Sequence, residues 1–273
     1  MTKIKNILIT GGAGYIGSHV VEFLNKKKKK ILIVDNLSTG FKELINKKNK
    51  FFKININNIK KIKDLIIKNN IDSVIHLAAA LSVDESQKNP KKYYKINVIG
   101  TKKLLIAIEN SSVKNIIFSS TCAVYKDGYE TVTEKTKLKP TSVYGKTKLQ
   151  AEKLIQSFCK KNNLNYGILR FFNVAGASSS GKIGQINRGD QLFKNFSVQV
   201  LKKNPIFKIY GSNYKTKDGT CIRDYIHVSD IAEIHNKVLE KINHTNTSKI
   251  LNCGYGKGIS VIQSINEFKK HTK

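Results

Sequence analysis

Short apolar runs alternate with longer amphipathic stretches as far as residue 172. The apolar runs are rich in Ile, Val, Leu and Phe and predict strands, while apolar residues spaced three and four apart predict helices. The predicted strands are 5–10, 30–35, 51–56, 72–78, 115–120 and 165–172, and the predicted helices are 16–26, 59–69, 93–110 and 144–161. Because each parallel crossover needs a helix-length connection, this alternation predicts an α/β fold with a doubly wound parallel sheet.

The regular alternation ends near residue 173. Residues 173–190 form a Gly- and Ser-rich passage, NVAGASSSGKIGQINRGD, after which helix and strand patterns resume in mixed order. We therefore predict a first domain over residues 1–172 and a second, smaller domain over residues 173–273, with some segments of the second returning to the first.

The charge of the chain first suggests a nucleic-acid-binding protein. The 273 residues carry a formal net charge of +30, and basic surfaces bind phosphate backbones by releasing counterions. However, only Arg170, Arg188 and Arg223 are arginines among the 49 basic residues, whereas proteins that bind phosphates and bases favour the forked guanidinium. The accompanying excess of Asn and Ile is typical of AT-rich codons. We predict no nucleic-acid partner.

Cysteine and histidine placement argues against disulfides and metals. The cysteines at 122, 159, 221 and 253 show neither zinc-site spacing nor the density of a disulfide scaffold, and the six His residues form no ligand motif. The apolar run at the N-terminus is too short for a signal-peptide core or a membrane span. We therefore expect a cytoplasmic protein with free thiols, no metal site and no membrane partner.

A glycine-rich motif, GGAGYIG, occupies residues 11–17 between the first predicted strand and the first predicted helix. Glycines here let the backbone approach a pyrophosphate at a helix N-terminus, where free N–H groups favour negative charge. Asp35 ends the next predicted strand, eighteen residues after Gly17. Its carboxylate would accept hydrogen bonds from ribose hydroxyls and repel a 2′-phosphate. The motif predicts a Rossmann-like domain that binds NAD rather than NADP.

A second candidate motif is Tyr144-Gly-Lys-Thr-Lys148. Tyr and Lys are so abundant here that the spacing alone proves nothing, but the pair opens a helix directly after the strand that ends in Ser119, Ser120 and Thr121. Residues four apart share a helix face, so Lys148 can lie beside Tyr144 and the cofactor. A nearby ammonium and a cationic nicotinamide would favour the phenolate, and Thr121 could bond the reacting hydroxyl. We interpret these three residues as catalytic.

Four segments together resemble a known family. They are TGGAGYIGSH, the Thr121, Tyr144 and Lys148 set, FFNVAGA and DGTCIRDYIHV, of which the last, at 218–228, is the most specific. From residue 5 to about residue 268 the chain resembles the extended short-chain dehydrogenase/reductases, and within them the UDP-glucose 4-epimerase family. The resemblance implies NAD-dependent epimerisation at carbon 4 of a UDP-hexose through a 4-keto intermediate, as in galactose metabolism. It also implies a homodimer formed by helices at about 92–110 and 144–161.

The resemblance assigns roles to individual positions. The positions implied to contact NAD are Gly11, Gly14, Tyr15, Ile16, Gly17, Asp35, Asn36, Asn55, Ile56, Leu77, Ala78, Ala79, Asn97, Lys148 and Phe172. The positions implied to contact the UDP-sugar are Thr121, Tyr144, Asn173, Gln191, Tyr210 and Arg223. An amide donor and a forked cation at Asn173 and Arg223 suit phosphate oxygens.

Departures from the family pattern narrow the chemistry. Asn55 stands at a usual Asp, Leu81 where some members have Lys, Lys126 at a common Gly, and Gln191 at a usual Asn or His. In related dehydratases an Asp-Glu pair follows the catalytic Thr, and decarboxylases usually carry a Glu there. In this chain those positions hold Cys122 and Ala123, which cannot do that proton work. Oxidation followed by re-reduction therefore fits the sequence, and elimination does not.

Three alternatives remain open from the sequence. One is a 4-epimerase of an N-acetylated or pentose UDP-sugar, another is an NAD-binding protein with weak or no turnover, and the third is a basic nucleic-acid-binding protein. Family members continue beyond the position of Lys273 through a segment whose Arg and Asp hold the uridine diphosphate. We expect the chain to be truncated there, with an incomplete substrate domain, and so to bind NAD but turn over UDP-galactose poorly.

Overall fold

A parallel sheet forms the centre of the protein, which we describe from a computed structural model over residues 4–128, 131–186 and 191–271. The strands are β1 Asn6–Thr10, β2 Lys30–Asp35, β3 Lys50–Lys53, β4 Ser73–His76, β5 Asn115–Thr121, β6 Asn165–Phe171, β7 Asn173–Ala175, β8 Ile222–His227, β9 Lys249–Cys253 and β10 Gly258–Ser260. Seven of them form the main sheet in the order β3-β2-β1-β4-β5-β6-β9, with every neighbouring pair parallel. This is a Rossmann-like arrangement.

Helices cover both faces of this sheet. They are α1 Tyr15–Lys26, α2 Ile59–Lys68, α3 Val83–Lys88, α4 Pro90–Tyr93, α5 Gly100–Ile108, α6 Val143–Asn162, α7 Leu192–Val200, α8 Val228–Thr245 and α9 Val261–His271. One core cluster joins α1 and α8 to the sheet through side chains such as Leu24 and Leu239. The other joins α2, α5 and α6 to the opposite face, with Ile62 and Ile155 among its members. Burial on both faces explains why the strands are continuously apolar.

The predicted strands and helices are present with small shifts at their ends, except in one place. The helix predicted over 93–110 is divided into α4, a π-helical turn Tyr94–Ile99 and α5. Isolated π turns often accompany functional positions. Here the turn contains Asn97, whose buried side chain bonds to the loop after β4.

Part of the chain beyond residue 172 packs with the main sheet. Strand β9 pairs with β6, and α8 packs against α1 through a buried apolar face. The remaining strands form a small sheet in the order β10-β8-β7, in which β7 and β8 are parallel and β10 is antiparallel. Strand β7 begins two residues after β6 ends, so the small sheet adjoins the carboxyl edge of the main one.

The strand order reverses between β1 and β4. At such a point the connections leave in opposite directions and open a crevice beyond the carboxyl ends of the strands.

Among the described residues, no helix combines the length and apolar character needed to cross a bilayer. In the same part of the chain, no group of three or more His, Cys, Asp or Glu residues could hold a metal ion.

Candidate active site

The turn from β1 into α1 is shaped by three of the predicted glycines. Gly11 has a φ of +75°, and a Cβ there would lie 2.6 Å from the backbone nitrogen of Ala78. A Cβ on Gly17 would lie 2.2 Å from the Gly11 carbonyl oxygen. Gly14 precedes α1 without a side-chain cap, and the first turn of the helix carries no acidic residue. The backbone N–H groups of this turn therefore suit a pyrophosphate.

Tyr15 and Ile16 form the first turn of α1 and are half-buried. The Tyr15 hydroxyl donates to the Gly176 carbonyl at 2.6 Å. This bond ties the cofactor turn to the Gly- and Ser-rich segment that follows β7. The predicted cofactor positions Tyr15 and Ile16 thus lie where the two parts of the chain meet.

Asp35 ends β2 beside the glycine turn. Its Oδ2 accepts a hydrogen bond from the Ala13 N–H at 3.0 Å, and its Oδ1 accepts one from the Leu37 N–H at 2.8 Å. Burial raises the pKa of this carboxyl, and the N–H donors oppose the rise. Each carboxylate oxygen keeps a lone pair for a ribose hydroxyl. Asn36 follows, with its side-chain carbonyl turned to the Ser38 N–H.

Replacing Asp35 with asparagine is expected to weaken NAD binding about ten- to hundredfold, because a charge-assisted hydrogen bond is worth about 1.5–3 kcal/mol. The amide keeps an acceptor for only one of the two backbone N–H groups, so part of the loss of affinity comes from a weakened turn. NADP binding should improve because the like-charge clash with the 2′-phosphate is gone. Dissociation constants for both cofactors measure this, with the exposed Asp64→Asn as the matched control. Wild-type protein that binds NADP as well as NAD would show that Asp35 does not face the ribose.

The loop after β4 is held by Asn97. The Asn97 Oδ1 accepts from the Ala80 N–H at 2.8 Å, while its Nδ2 donates to the Ala80 carbonyl and to Thr147 Oγ1, each at 3.1 Å. This loop contains the predicted cofactor positions Leu77, Ala78 and Ala79. Asn97 therefore joins three elements at the carboxyl edge, namely the loop, the π-helical turn and α6.

Two more predicted cofactor positions follow β3. The exposed Asn55 accepts a hydrogen bond from the Asn57 N–H at 2.9 Å, which leaves one lone pair of its carbonyl for a ligand. Ile56 is buried against Gly100, at the start of α5. Both lie at the same sheet edge as Asp35, on the outer side of β2.

Thr121 and Tyr144 meet where β5 ends and α6 begins. Ser142 caps α6 by accepting from the Gly145 N–H, and a Cβ on Gly145 would lie 2.2 Å from the Ala123 carbonyl oxygen, so the helix approaches the strand end closely. Thr121 and Tyr144 are each 9% exposed. Burial raises the pKa of the Tyr144 phenol, while a hydrogen bond with Thr121 opposes that rise. The geometry therefore brings together two of the three residues predicted to be catalytic.

Lys148 lies one turn further along α6. Its Nζ donates to the Ser119 carbonyl at 2.5 Å and lies 4.2 Å from the centre of the Phe118 ring. This is its one hydrogen bond among the described residues, and it goes to the backbone of β5 rather than to the Tyr144 phenol. Burial lowers the pKa of Lys148 to about 7, and the Glu152 carboxylate opposes that fall. Two N–H donors of the ammonium remain for a ligand.

Three predicted ligand positions lie near the end of β6 or of β5. The Phe172 N–H donates to the Cys253 carbonyl at 3.1 Å, and Asn173 opens β7 with an exposed side chain. Arg223, on β8, is also exposed, and its charge acts on the Cys122 thiol. Burial raises the pKa of Cys122 to about 11, and the guanidinium opposes the rise. The Arg223 guanidinium itself donates to the Ile222 carbonyl at 3.0 Å, and its charge reaches the residue that follows Thr121.

The remaining two substrate positions lie at the start of α7 and between α7 and β8. The Gln191 carbonyl accepts from the Asn195 N–H in the first turn of α7, while the side-chain Oε1 is buried and has no partner among the described residues. Such an orphaned acceptor fits a site that awaits a donor. Tyr210 is 75% exposed in a stretch between α7 and β8 that forms no helix or strand.

The sequence pattern did not predict several residues that support the site. The buried Ser86 Oγ accepts from the Tyr144 N–H at 3.0 Å and so holds the start of α6. Glu152 and Arg170 form a buried ion pair behind Lys148. The sequence does contain two indications of this ion pair. Glu152 follows Lys148 at helical spacing, and Arg170 is a charged residue within an otherwise apolar strand.

The glycine turn, Asp35 and the parallel sheet define a Rossmann-type dinucleotide-binding protein. Its candidate active site, with Tyr144 and Lys148, lies at the carboxyl edge of the sheet. Residues 7–254 match the NAD dependent epimerase/dehydratase family. The chain is 38% identical over 268 residues to the UDP-glucose 4-epimerase of Lactobacillus helveticus, covering 97% of this chain and 81% of that protein.

Solved structures are also similar to this chain. A crystal structure of a UDP-glucose 4-epimerase aligns with a TM-score of 0.94 and 38% identity, covering 98% of this chain and 82% of that one. The UDP-glucose 4-epimerase of Brucella ovis, solved in complex with NAD, aligns with a TM-score of 0.91 and 34% identity, covering 96% of this chain and 81% of that one. The chain belongs to the NAD dependent epimerase/dehydratase family.

Proposed function

We propose that this chain catalyses NAD-dependent epimerisation at carbon 4 of a UDP-hexose, interconverting UDP-glucose and UDP-galactose through a 4-keto sugar. One observation supports the proposal most directly: α6 packs closely onto the end of β5, so that the buried Tyr144 and Thr121 lie together at the edge of the sheet that also carries the glycine turn. The uridine diphosphate part rests on the similarity to UDP-glucose 4-epimerases over 97% of the chain. NAD is supported by the shape of the glycine turn and by the Brucella ovis relative, which was solved with NAD.

Tyr144 is proposed to take the proton of the sugar 4-hydroxyl and to return it when the sugar is reduced. Burial keeps the phenol protonated at neutral pH, so nearby positive charge must lower its pKa before it can act as a base. Thr121 already favours the phenolate by hydrogen bonding. We propose that Thr121 also bonds the 4-hydroxyl and aligns it with Tyr144.

Lys148 is proposed to hold the nicotinamide ribose with the two N–H donors that the Ser119 carbonyl leaves free. Its positive charge also favours the Tyr144 phenolate. The chemistry that bound NAD supplies is reversible acceptance of a hydride from carbon 4. Because the hydride returns to the same sugar, the reaction has no net redox change.

The side chains around Thr121 favour this reaction over elimination of water. Elimination needs a second acid or base beside the sugar. Cys122 is the neighbour of Thr121, and its thiol, with a pKa of about 11, stays protonated at neutral pH. Ala123 follows and carries no titratable group. A single proton acceptor, Tyr144, is enough for oxidation and re-reduction of one alcohol.

We propose that the diphosphate of the substrate is held by Arg223 and Asn173, which lie at the carboxyl edge beside Cys122 and Phe172. The buried Oε1 of Gln191, which has no partner in the described part of the chain, is proposed to accept a hydrogen bond from an N–H or hydroxyl of the uridine diphosphate moiety. In this arrangement the diphosphate stays bound while the 4-keto sugar rotates and presents its opposite face for reduction.

The test is turnover of UDP-galactose by the purified chain, with the sugar product and the retained NAD both measured. Production of UDP-glucose with NAD conserved, at whatever rate, is the result that supports the proposal. Parallel assays with N-acetylated and pentose UDP-sugars distinguish the alternative 4-epimerases, because the preferred sugar shows the largest kcat/KM. Retained NAD without epimerisation of any of these sugars would contradict the proposal and favour a non-catalytic dinucleotide-binding protein.

We also propose a cytoplasmic homodimer. All four cysteines are unpaired, which suits a reducing compartment. The dimer would use the helices within residues 90–108 and 143–162, where Tyr94 and Ile106 expose 47% and 40% of their surface. Sedimentation of the purified chain measures its oligomeric state, and a monomer at assay concentration would contradict this part.

A further inference from the structure

A buried ion pair lies one helical turn beyond Lys148 on α6. The Glu152 Oε2 accepts from Arg170 Nη2 at 2.7 Å and the Oε1 accepts from Arg170 Nε at 3.1 Å, so the pair is bidentate. Ser120 Oγ donates to the same Oε1. Glu152 is completely buried, and Arg170 is 2% exposed. This carboxylate is therefore fixed by two strands of the sheet, β5 and β6.

Glu152 is also placed to act on Lys148. It follows Lys148 by four residues on α6, so the two side chains share one face of the helix. Burial of the Lys148 ammonium disfavours its charge, and the Glu152 carboxylate opposes that effect. Both residues lie against β5, where Lys148 bonds the Ser119 carbonyl and Glu152 bonds the neighbouring Ser120.

The other groups around Lys148 do not replace this carboxylate. On β4, the buried imidazole of His76 has its pKa lowered to about 3, mainly by burial and then by the Lys148 charge, so it is neutral at neutral pH. On β5, Lys148 meets a carbonyl and the Phe118 ring. On β6, the Arg170 guanidinium is cationic and is directed to Glu152 and to the Tyr125 hydroxyl at 2.8 Å. Glu152 is the one carboxylate in the described part of the chain that acts on the Lys148 charge.

We propose that Glu152, held by Arg170 and Ser120, is a positioning residue that keeps Lys148 cationic and directed toward the cofactor site. The proposal rests on the proposed function, because it takes Lys148 to act on the bound cofactor and on Tyr144. Arg170 is needed to hold the carboxylate in place, and Glu152 acts on Lys148 through its charge.

The experiment compares Glu152→Gln with the double variant Glu152→Gln/Arg170→Met. The single variant leaves Arg170 buried without its carboxylate, so it tests charge and folding together. The double variant removes both charges, which is a change that protein interiors often tolerate. If the ion pair has only a structural role, the folded double variant should show the pH profiles of the wild type. If the carboxylate also acts on Lys148, the double variant should fold but show shifted pH profiles.

Loss of the carboxylate lowers the pKa of Lys148, so its cationic form disappears at a lower pH. The alkaline limb of the kcat profile should therefore move to lower pH by about 1–2 units in Glu152→Gln, as expected for removing a close opposite charge. The shift should have the same direction and be smaller in the double variant, because the Arg170 charge is removed as well. A second readout needs no turnover, namely NAD affinity of the cofactor-free protein measured by calorimetry across pH. The pH at which NAD affinity declines should move to lower values in the variants, as the alkaline limb of the kcat profile does.

The matched control is Glu233→Gln on α8, which removes a half-exposed carboxylate paired with Lys237. This control should leave both pH profiles unchanged. A folded double variant with wild-type profiles would overturn the proposal and leave the pair a structural role only. Failure of the wild type to epimerise any UDP-sugar would instead contradict the proposed function, and the calorimetric profiles would still test Glu152.

Discussion

Replacing Tyr144 with phenylalanine is expected to lower kcat about 10²- to 10⁴-fold, the usual contribution of general acid–base catalysis. The phenylalanine ring fills the same buried space, where Tyr144 is 9% exposed, so packing at the start of α6 should persist. The bond from the Tyr144 N–H to Ser86 is a backbone bond and is unaffected. NAD should therefore remain bound while turnover is lost, which paired measurements of kcat and cofactor content test directly.

Tyr166→Phe serves as the matched control for this change. Tyr166 lies near the start of β6, in contact with the core on the α6 side and away from the carboxyl edge. It should lose no activity. Unchanged turnover in Tyr144→Phe would refute Tyr144 as the proton acceptor. Loss of NAD with loss of turnover would instead show that the hydroxyl supports the cofactor.

Gly17→Ala is the second substitution expected to have a large effect. In an exposed helix, replacing Gly with Ala stabilises by about 1 kcal/mol. Here the new Cβ would lie 2.2 Å from the Gly11 carbonyl oxygen and 2.8 Å from the Gly12 Cα, both on the backbone. The start of α1 must then move away from the turn, and overpacking of this kind costs about 1–3 kcal/mol. We expect a net loss of stability and at least tenfold weaker NAD binding.

Thermal unfolding and NAD titration measure the two effects of this substitution. Gly184→Ala is the matched control, since a Cβ there would meet only the Ala177 Cβ at the ordinary distance of 3.7 Å. It should change neither quantity. If Gly17→Ala stabilises the protein and binds NAD normally, then α1 does not approach the turn as closely as the structure indicates.

The buried strands and the cofactor turn were predictable because their signals are local. A continuous apolar run such as 115–120 has to be buried on both faces, and the glycines at 11–17 announce a tight strand-to-helix turn. Asp35 could be placed because the end of a strand in a parallel sheet always lies at the carboxyl edge. The similarity over residues 7–254 confirms the Rossmann-like fold and the use of NAD.

Other features depend on residues that are distant in the chain and could not be derived from local pattern. Strand β9 enters the main sheet only by pairing with β6, about eighty residues earlier in the chain, and nothing in its own sequence specifies that neighbour. The helix predicted over 93–110 is interrupted where Asn97 bonds to the loop after β4. Periodicity describes which face is apolar, and it does not show what a buried amide will contact.

Within the site, the sequence determined which chemical groups are present and the tertiary structure decided what they face. Helical spacing placed Tyr144 and Lys148 on one side of α6, and the absence of a carboxylate after Thr121 argued against elimination. The spacing did not show that the Lys148 ammonium bonds the Ser119 carbonyl, or that Glu152 is buried against Arg170. Those contacts arise when α6 packs onto β5 and β6, and burial there makes each charge depend on its neighbours.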